Sequence, residues 1–449
     1  MVASQFIHPV PRLAQPLAQG HLGDLDAGKG RKSTVALLIG ATLLLPYSVA
    51  VYLGDLKLTP IKILIVSLFL PAGVKLILSS ASGQRRLLAS DAYAIVVFLL
   101  MFLGPMIISG PIVFVSAFSP ALEFYGMYVI ARAYLYELSS IDNFVRCLLI
   151  ATVGVVLFAA LDIITQQYVA QQLAGAFFPA PVTGQLDTSE PGLHRVVLGI
   201  YSLRATSTFD HPILLGTFCA SMMPLCLYSP VSQTRRWFLI ATCMLGCLLA
   251  LSSAPLLATF MVFAVYAYDR LMRSYAWRWK ALVSGLLLCI VTFSLASDNP
   301  LSWLFRNLTL DPQTAYFRLL IWDAGLAVIS EHPWLGIGFN PSGNSILDAS
   351  TDSLLLARAV TFGVPLVSLL YLTALSAILP VRGERAVRKS RALLDVMCTS
   401  FSVTLSAILF ISMTVTFWNA TWLFFGLCIG IRVCLKERCL LARSGDRIG

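Results

Sequence analysis

The stretch DAYAIVVFLLMFLGPMIIS, residues 91–109, carries one charged side chain and is otherwise almost wholly apolar. A helix of about 20 apolar residues is long enough to cross the hydrocarbon core of a bilayer. A strand of a membrane barrel would instead alternate polar and apolar residues, and this stretch does not. It therefore predicts a transmembrane helix.

The composition of the 449-residue chain extends this prediction to the whole protein. Hydrophobic residues make up 58% of it and charged residues only 12%, whereas a soluble domain carries about 25% charged residues. Lipid admits only helices and closed barrels, and the apolar blocks are unalternating. We predict an all-α polytopic membrane protein with about twelve transmembrane helices of this length and two large periplasmic loops, the second with an amphipathic helix.

The predicted spans form one transmembrane domain over about 34–434, between a cytoplasmic N-tail at 1–33 and a cytoplasmic C-tail at 435–449. The first block lacks a cleavage-site pattern, so we expect a retained helix rather than a signal peptide. The apolar blocks lie at about 34–53, 58–79, 91–109, 111–134, 144–164, 211–230, 236–251, 253–270, 281–297, 352–380, 393–414 and 416–434.

The basic residues indicate the orientation of these spans. If the blocks alternate across the membrane, the connections on the side of the N-terminus hold 24 of the 32 lysines and arginines. The positive-inside rule then places both termini in the cytoplasm. The net charge of +10 is a topology signal, and we expect no nucleic-acid partner. The ten cysteines show neither a disulfide framework nor a zinc-ligand spacing.

Two outer connections are long, at about 165–210 and 298–351, and long loops on a helical scaffold are where function concentrates. Together they hold no lysine and four arginines, which are Arg195, Arg204, Arg306 and Arg318. The planar guanidinium suits phosphate and pyrophosphate, so this composition favours an anion site. The alternative is that four arginines in two such loops are an ordinary number.

The first loop ends RATSTFDHPILLG, residues 204–216. Asp210 and Pro212 predict a helix start, with an acidic cap followed by proline in the first turn. His211 would then be an interfacial residue at the helix mouth. Arg204 lies beside that helix N-terminus, where the helix dipole adds to its charge and favours an anion.

The second loop contains an amphipathic helix, predicted over 313–330 and stopped by Pro333. A 3–4 spacing places four of its residues on one face: Arg318, Trp322, Gly325 and Ile329. The alternative is a lid at the membrane surface with Arg318 extending into solvent. His332 then stands at the helix terminus.

The stretch TDSLLLARAVTFG, residues 351–363, brings two charges to the tenth span. Asp352 suits an N-cap. Arg358 lies about 9 Å further along the helix, at 1.5 Å per residue. An arginine at this depth normally faces the protein interior and has a partner, for which Glu123 in the fourth span is a candidate.

Three of these stretches resemble the O-antigen ligase/polymerase superfamily of bacterial envelope glycan assembly. RATSTFDHPILLG is similar to its arginine followed by F-x-HP-x-x-x-G, and RLLIWDAGLAVISEHPWLGIGF to its arginine segment ending in HP-x-x-G-x-G. DSLLLARAVTFG resembles its H-(N/S/Q)-x9-G element, with Ser353 and Gly363 in register. The plan of twelve spans with two large outer loops also fits.

The chain departs from the family pattern in two places. The ligases have a histidine where this chain has Asp352, and many members have an arginine in the turn that here reads LSSAPLL, with Ala254. Both departures favour the exopolysaccharide-polymerase branch over a lipid A-core ligase.

The resemblance implies polymerisation of oligosaccharide repeat units linked to undecaprenyl pyrophosphate, at the periplasmic face of the bacterial inner membrane. It implies an inverting glycosyl transfer that needs no metal and no cofactor. Alternatives are an O-antigen ligase and a transporter or flippase of lipid-linked glycans. A chain-length regulator or export complex would be a plausible partner.

The residue roles that follow from the resemblance divide into three groups. Asp352 would be the general base. Arg204 and Arg318, together with Arg195, would bind the pyrophosphate as fixed charges in place of a metal. The supporting residues would be Arg358, His211, His332, Trp322 and Ser353.

Overall fold

The computed structural model describes residues 34–53, 56–178, 193–197, 200–296, 312–380, 384 and 392–445. Over these residues the chain is mostly helical, and its strands are confined to two short antiparallel hairpins, which confirms the all-α class. The hairpins pair β1 (Val51–Leu53) with β2 (Leu56–Leu58) and β3 (His194–Val197) with β4 (Ile200–Leu203).

The helices, named in chain order, account for most of the described residues. They are α1 (Thr34–Leu43), α2 (Pro60–Ala81), α3 (Ala89–Ser109), α4 (Phe114–Tyr134, preceded by a 3-10 turn at Pro111–Val113), α5 (Leu138–Thr165), α6 (Val169–Phe177), α7 (Pro212–Tyr228), α8 (Gln233–Leu249), α9 (Ser253–Leu271), α10 (Arg278–Ala296), α11 (Pro312–Glu331), α12 (Ser345–Ala349), α13 (Leu354–Phe362), α14 (Val364–Ile378), α15 (Ala392–Ser412) and α16 (Asn419–Gly445).

Seven helices in the described part of the chain are long and apolar enough to cross a membrane, and α1, α7 and α14 are shorter apolar helices. This confirms a polytopic membrane protein. The count of twelve spans stays a prediction. A helix is present at the position predicted for the amphipathic helix, 313–330, as α11, but its apolar residues are not concentrated on one face.

The first predicted span is wrong in its second half. Helix α1 ends at Leu43, and β1 begins at Val51. Pro46 lies between them, and proline both lacks the N–H that a helix needs and disfavours helical backbone before it. The block is therefore apolar over its whole length but helical only over its first half.

The predicted span at 352–380 is also wrong as a single helix, because Gly363 divides it into α13 and α14. Gly363 has φ +86°, and a Cβ there would lie 2.2 Å from the carbonyl oxygen of Trp334. The turn after α11 packs into this break, with Val364 N–H donating to Pro333 O at 2.8 Å. Only glycine accommodates both the backbone angle and the close approach.

The centre of the bundle is the contact between α4 and α16. Two glycines of α16 face α4 so closely that a Cβ on Gly426 would lie 2.5 Å from Phe124 O, and one on Gly430 would lie 2.7 Å from Tyr128 O. Small residues at such contacts let helix backbones approach within the membrane, where packing replaces the hydrophobic effect.

A buried ionic network joins α3, α4 and α16. Arg132 is fully buried; its Nε lies 2.9 Å from Asp91 Oδ1 and its Nη1 lies 2.6 Å from Glu437 Oε2. Arg85 adds a second pair with Glu437 at 2.9 Å. Glu437 lies 18 residues after the start of α16, or about 27 Å along the helix, so this network lies at the opposite end of the bundle from residues 204–211 and 350–354, which we call the loop end.

Candidate active site

The loop end is organised by Asp162, near the end of α5. Its fully buried carboxylate accepts hydrogen bonds from the backbone N–H groups of Val169 at 2.9 Å, Thr206 at 3.2 Å and Ser207 at 2.7 Å. Asp162 thereby ties both ends of the first loop to the bundle. Our sequence analysis missed it, although a carboxylate at the end of an apolar block is a usable signal.

Arg204 follows β4 and is 5% exposed. Its backbone N–H donates to Leu193 O at 2.8 Å, and its Nε donates to Ala250 O at 3.1 Å. Ala250 belongs to the turn between α8 and α9, the turn that lacks the arginine found in many family members. Here an arginine from the first loop reaches that turn.

Burial and, to a smaller extent, the positive charges of Arg195 and Arg318 together lower the pKa of Arg204 to about 10, against an opposing effect of Tyr168. Arg204 is therefore near both other predicted pyrophosphate ligands. Arg195 lies on β3, opposite Ser202. Arginines brought together at one buried place favour an anion between them.

Arg318 lies on the face of α11 that packs against α13. A Cβ on Gly325 would lie 2.7 Å from Leu356 Cδ1, and Ile321 is buried in a small apolar cluster with Leu356. Arg318 is itself only 7% exposed, so the alternative in which it extends into solvent is wrong. Its Nε lies 3.2 Å from Asp352 Oδ2.

Asp352 is not the N-cap of the following helix. That position belongs to Ser353, whose Oγ accepts from Leu356 N–H at 3.4 Å. The predicted cap is therefore wrong by one residue, and the consequence is that the Asp352 carboxylate has no helix N–H to satisfy. It contacts Arg318 through Oδ2 and accepts from Ser350 Oγ at Oδ1, at 3.0 Å.

The predicted cap of α7 is likewise wrong by one residue. His211, not Asp210, is the N-cap, and its Nδ1 accepts from Ile213 N–H at 3.2 Å. Asp210 instead accepts from Trp418 Nε1 at 2.7 Å and Asn419 Nδ2 at 2.5 Å. Two loops that are far apart in the chain are joined by these contacts.

His211 is close to both Arg204 and Asp352. Burial and, to a smaller extent, the charge of Arg204 together lower its pKa to about 4, while Asp352 opposes the shift. The imidazole is therefore neutral near pH 7. Since Nδ1 accepts a backbone hydrogen bond, the ring proton is assigned to Nε2, which makes His211 a hydrogen-bond donor in this site.

The remaining predicted residues are spread more widely. Trp322 packs against the apolar cluster between α11 and α13. His332 is exposed beyond the end of α11. Arg306 lies outside the described residues. Arg358 does not form the predicted ion pair with Glu123, which is bound by Lys62 instead, at 2.8 Å.

The donor set of the site is basic and nitrogen-rich, with one carboxylate. Among the residues that the structure describes, the group of His, Cys, Asp and Glu close enough to share a metal ion is Glu384, Cys398 and Cys439. Glu384 is already paired with Arg432 at 2.9 Å. That group does not include Asp352 or His211.

The structure is that of a polytopic membrane protein with buried arginines and a carboxylate at one end of its bundle. Residues 237–371 match the family model described as O-Antigen ligase. The range runs from α8 to α14 and contains Arg318 and Asp352. This match supports the resemblance of the chain to the O-antigen ligase/polymerase superfamily, whose members process glycans in the membrane. No curated protein matches the chain.

Proposed function

We propose that this protein polymerises oligosaccharide repeat units, linked to undecaprenyl pyrophosphate, into exopolysaccharide at the periplasmic face of the inner membrane. The observation that carries the proposal is the contact between Arg318 and Asp352 at 3.2 Å, beside the buried Arg204. A glycosyl transfer from a pyrophosphate donor needs a cationic site for the leaving group next to a base, and this site offers both.

The leaving group would be held by Arg195, Arg204 and Arg318. Two of these side chains are buried and held by protein contacts, so their charges are already in position before the reaction. Fixed charges in a water-poor site stabilise developing negative charge more strongly than solvated ones. The Nε2–H of His211 adds a neutral donor at the same place.

Asp352 would take the proton of the acceptor hydroxyl. The acceptor oxygen attacks the anomeric carbon, the bond from that carbon to the pyrophosphate oxygen breaks, and the hydroxyl proton passes to the carboxylate. A single displacement of this kind inverts the anomeric configuration. Because Ser353 caps α13, the carboxylate is available for this role.

Two alternatives are the O-antigen ligase and a transporter of lipid-linked glycans. The ligase shares the chemistry, and the description of the matching family model favours it. The aspartate in place of the ligase histidine supports the polymerase. A carrier concentrates polar groups near the membrane midplane, between structural repeats, whereas the arginines and the carboxylate described here lie at one end of the bundle.

The test is purified protein with a lipid-linked repeat unit, scored for a ladder of products in the absence of nucleotide sugar. We expect Arg204→Ala, Arg318→Ala and Asp352→Ala each to abolish the ladder. The matched control is Arg146→Ala, because Arg146 is 66% exposed and pairs only with Asp142 on its own helix. A full ladder from all three site variants would contradict the proposal. A single addition to a lipid A-core acceptor would favour the ligase.

A further inference from the structure

A second charged cluster lies at the loop end, next to the proposed site but on other helices. It contains Lys62 of α2, Glu123 of α4 and Arg358 of α13. Lys62 Nζ lies 2.8 Å from Glu123 Oε1, and Ser119 Oγ donates to the same oxygen at 3.0 Å. None of these residues has a role in the transfer chemistry proposed above.

Arg358 is the unusual member of this cluster. Its guanidinium lies 4.6 Å from the ring centre of Trp422, and its Nε is buried without a hydrogen-bond partner. Arg358 as a whole is only half-buried. A guanidinium stacked on an aromatic ring keeps its N–H edges free, so these donors remain available to an anion.

The cluster carries two positive charges and one negative charge. Glu123 is the charged group that acts on Arg358, but its carboxylate is already engaged by Lys62 and Ser119. Two cations therefore share one carboxylate. Asp210, another acid at the loop end, interacts with Lys57 and does not act on Arg358. A surplus buried positive charge is costly unless an anion completes it.

The aromatic surface on which Arg358 packs is rigid. Trp422 is 1% exposed, donates from Nε1 to Pro120 O at 2.9 Å, and stacks on Phe124 at 4.8 Å. The surface on which Arg358 lies cannot easily collapse over the guanidinium. Such preorganised donors bind a ligand at a lower entropic cost.

We propose that Arg358, Lys62 and Glu123 form a second oxyanion-binding pocket, separate from the Arg204/Arg318 site, for a carboxylate or phosphate group of the glycan substrate. That the bound group belongs to a glycan substrate rests on the proposed function. That the pocket binds an oxyanion does not rest on it. Arg358 supplies the planar pair of donors that such groups accept. The carboxylate of an acidic sugar and a phosphate of a lipid-linked substrate share this chemistry.

The test is a titration of the purified full chain with inorganic phosphate, inorganic pyrophosphate and D-glucuronate, each in a background of Arg318→Gln to weaken the first site. We expect at least one probe to bind, and Arg358→Gln added to that background to weaken its binding at least tenfold. Arg358→Lys should recover only part of the loss, because it keeps the charge but not the two-pronged donor geometry. Arg146→Gln serves as the matched control.

The probes distinguish the two sources of the anion. Binding of D-glucuronate supports an acidic sugar, and binding of the phosphates alone supports a lipid-linked phosphate. The proposal is overturned if no probe binds, if Arg318→Gln alone removes all binding, or if Arg358→Gln has no effect. If Arg358→Gln does not purify as a monodisperse protein, Lys62→Gln and Arg358→Lys replace it in the same titration. Unchanged probe binding in both variants overturns the proposal. Binding is measured without turnover, so a failed polymerase assay leaves this result standing, and the reverse also holds.

Discussion

Asp352 does not cap α13, so the substitution Asp352→Asn tests its role as a base without the loss of a helix cap. Asparagine keeps the size of the side chain and one of its two oxygens, so it can accept from Ser350 or from Arg318. It removes the negative charge and the capacity to take a proton. We therefore expect a large loss of turnover with a small loss of stability.

The expected loss of turnover is much larger than the expected loss of stability. A positioned general base contributes about 10²- to 10⁴-fold to a rate, which corresponds to roughly 3–5 kcal/mol of barrier. The ion pair of Asp352 with Arg318 contributes less than about 1 kcal/mol to stability, because the carboxylate is 34% exposed and solvent screens it. No helix cap is lost.

The neighbouring residue provides the matched comparison. Ser353→Ala removes the cap that Ser353 Oγ gives to Leu356 N–H and should cost about 1 kcal/mol of stability. We expect it to lower the free energy of unfolding more than Asp352→Asn does, and to lower turnover far less. The two adjacent variants thus move the two measurements in opposite order.

The assay is the initial rate of ladder formation in nanodiscs, with thermal unfolding followed on the same preparations. If Asp352→Asn keeps more than about half of the wild-type rate, far above the 10²-fold loss expected for a base, the base assignment is wrong. If it unfolds as readily as Ser353→Ala, the carboxylate is a structural group.

The remaining predictions concern four other positions. Arg204→Lys keeps the charge but loses the bidentate fork, so turnover should fall on the order of 10- to 100-fold in the ladder assay, and a wild-type rate would contradict the site. Gly363→Ala forces a side chain to φ +86° against Trp334; we expect a loss of at least about 1–3 kcal/mol, measured by thermal unfolding, and an unchanged midpoint would refute the packing argument. Arg132→Gln leaves Glu437 partly unpaired in the bundle, which should cost about 3–5 kcal/mol by the same measurement. The pKa of His211 is lowered to about 4 in the folded protein, so as the pH falls the unfolded chain takes up this proton before the folded protein does. The stability contributed by neutral His211 is therefore fully present above its ordinary pKa of about 6.5 and is lost as the pH falls toward 4. His211→Gln should flatten the stability profile in that window, and an identical profile would contradict the burial of the ring.

Much of the architecture follows from the sequence alone, because lipid restricts what an apolar chain can form. Blocks of about 20 apolar residues have few alternatives to a helix, so the helical class and α11 were predictable. Arg318 and Asp352 stood out because charges are rare in such a chain. The sequence also suggested, through short motifs, which loops to compare.

The caps and breaks were less predictable, since neighbouring residues compete for them. Asp210 and Asp352 are good capping residues, yet His211 and Ser353 hold the caps. The carboxylates are engaged elsewhere: Asp210 by the start of α16 and Asp352 by α11. Local preference is worth about 1 kcal/mol, and partners from distant parts of the chain outweigh it.

The sequence by itself determined that this chain spans a membrane as helices and carries arginines and a carboxylate in its long loops. Only the tertiary structure decided which of these charges meet. Arg318 and Asp352 are 34 residues apart in the chain, and Arg358 packs on Trp422 while Glu123 pairs with Lys62. The physical reason is that a buried charge takes its partner from whichever helix packs beside it, and helix packing depends on contacts such as Gly426 on Phe124 that no local pattern encodes.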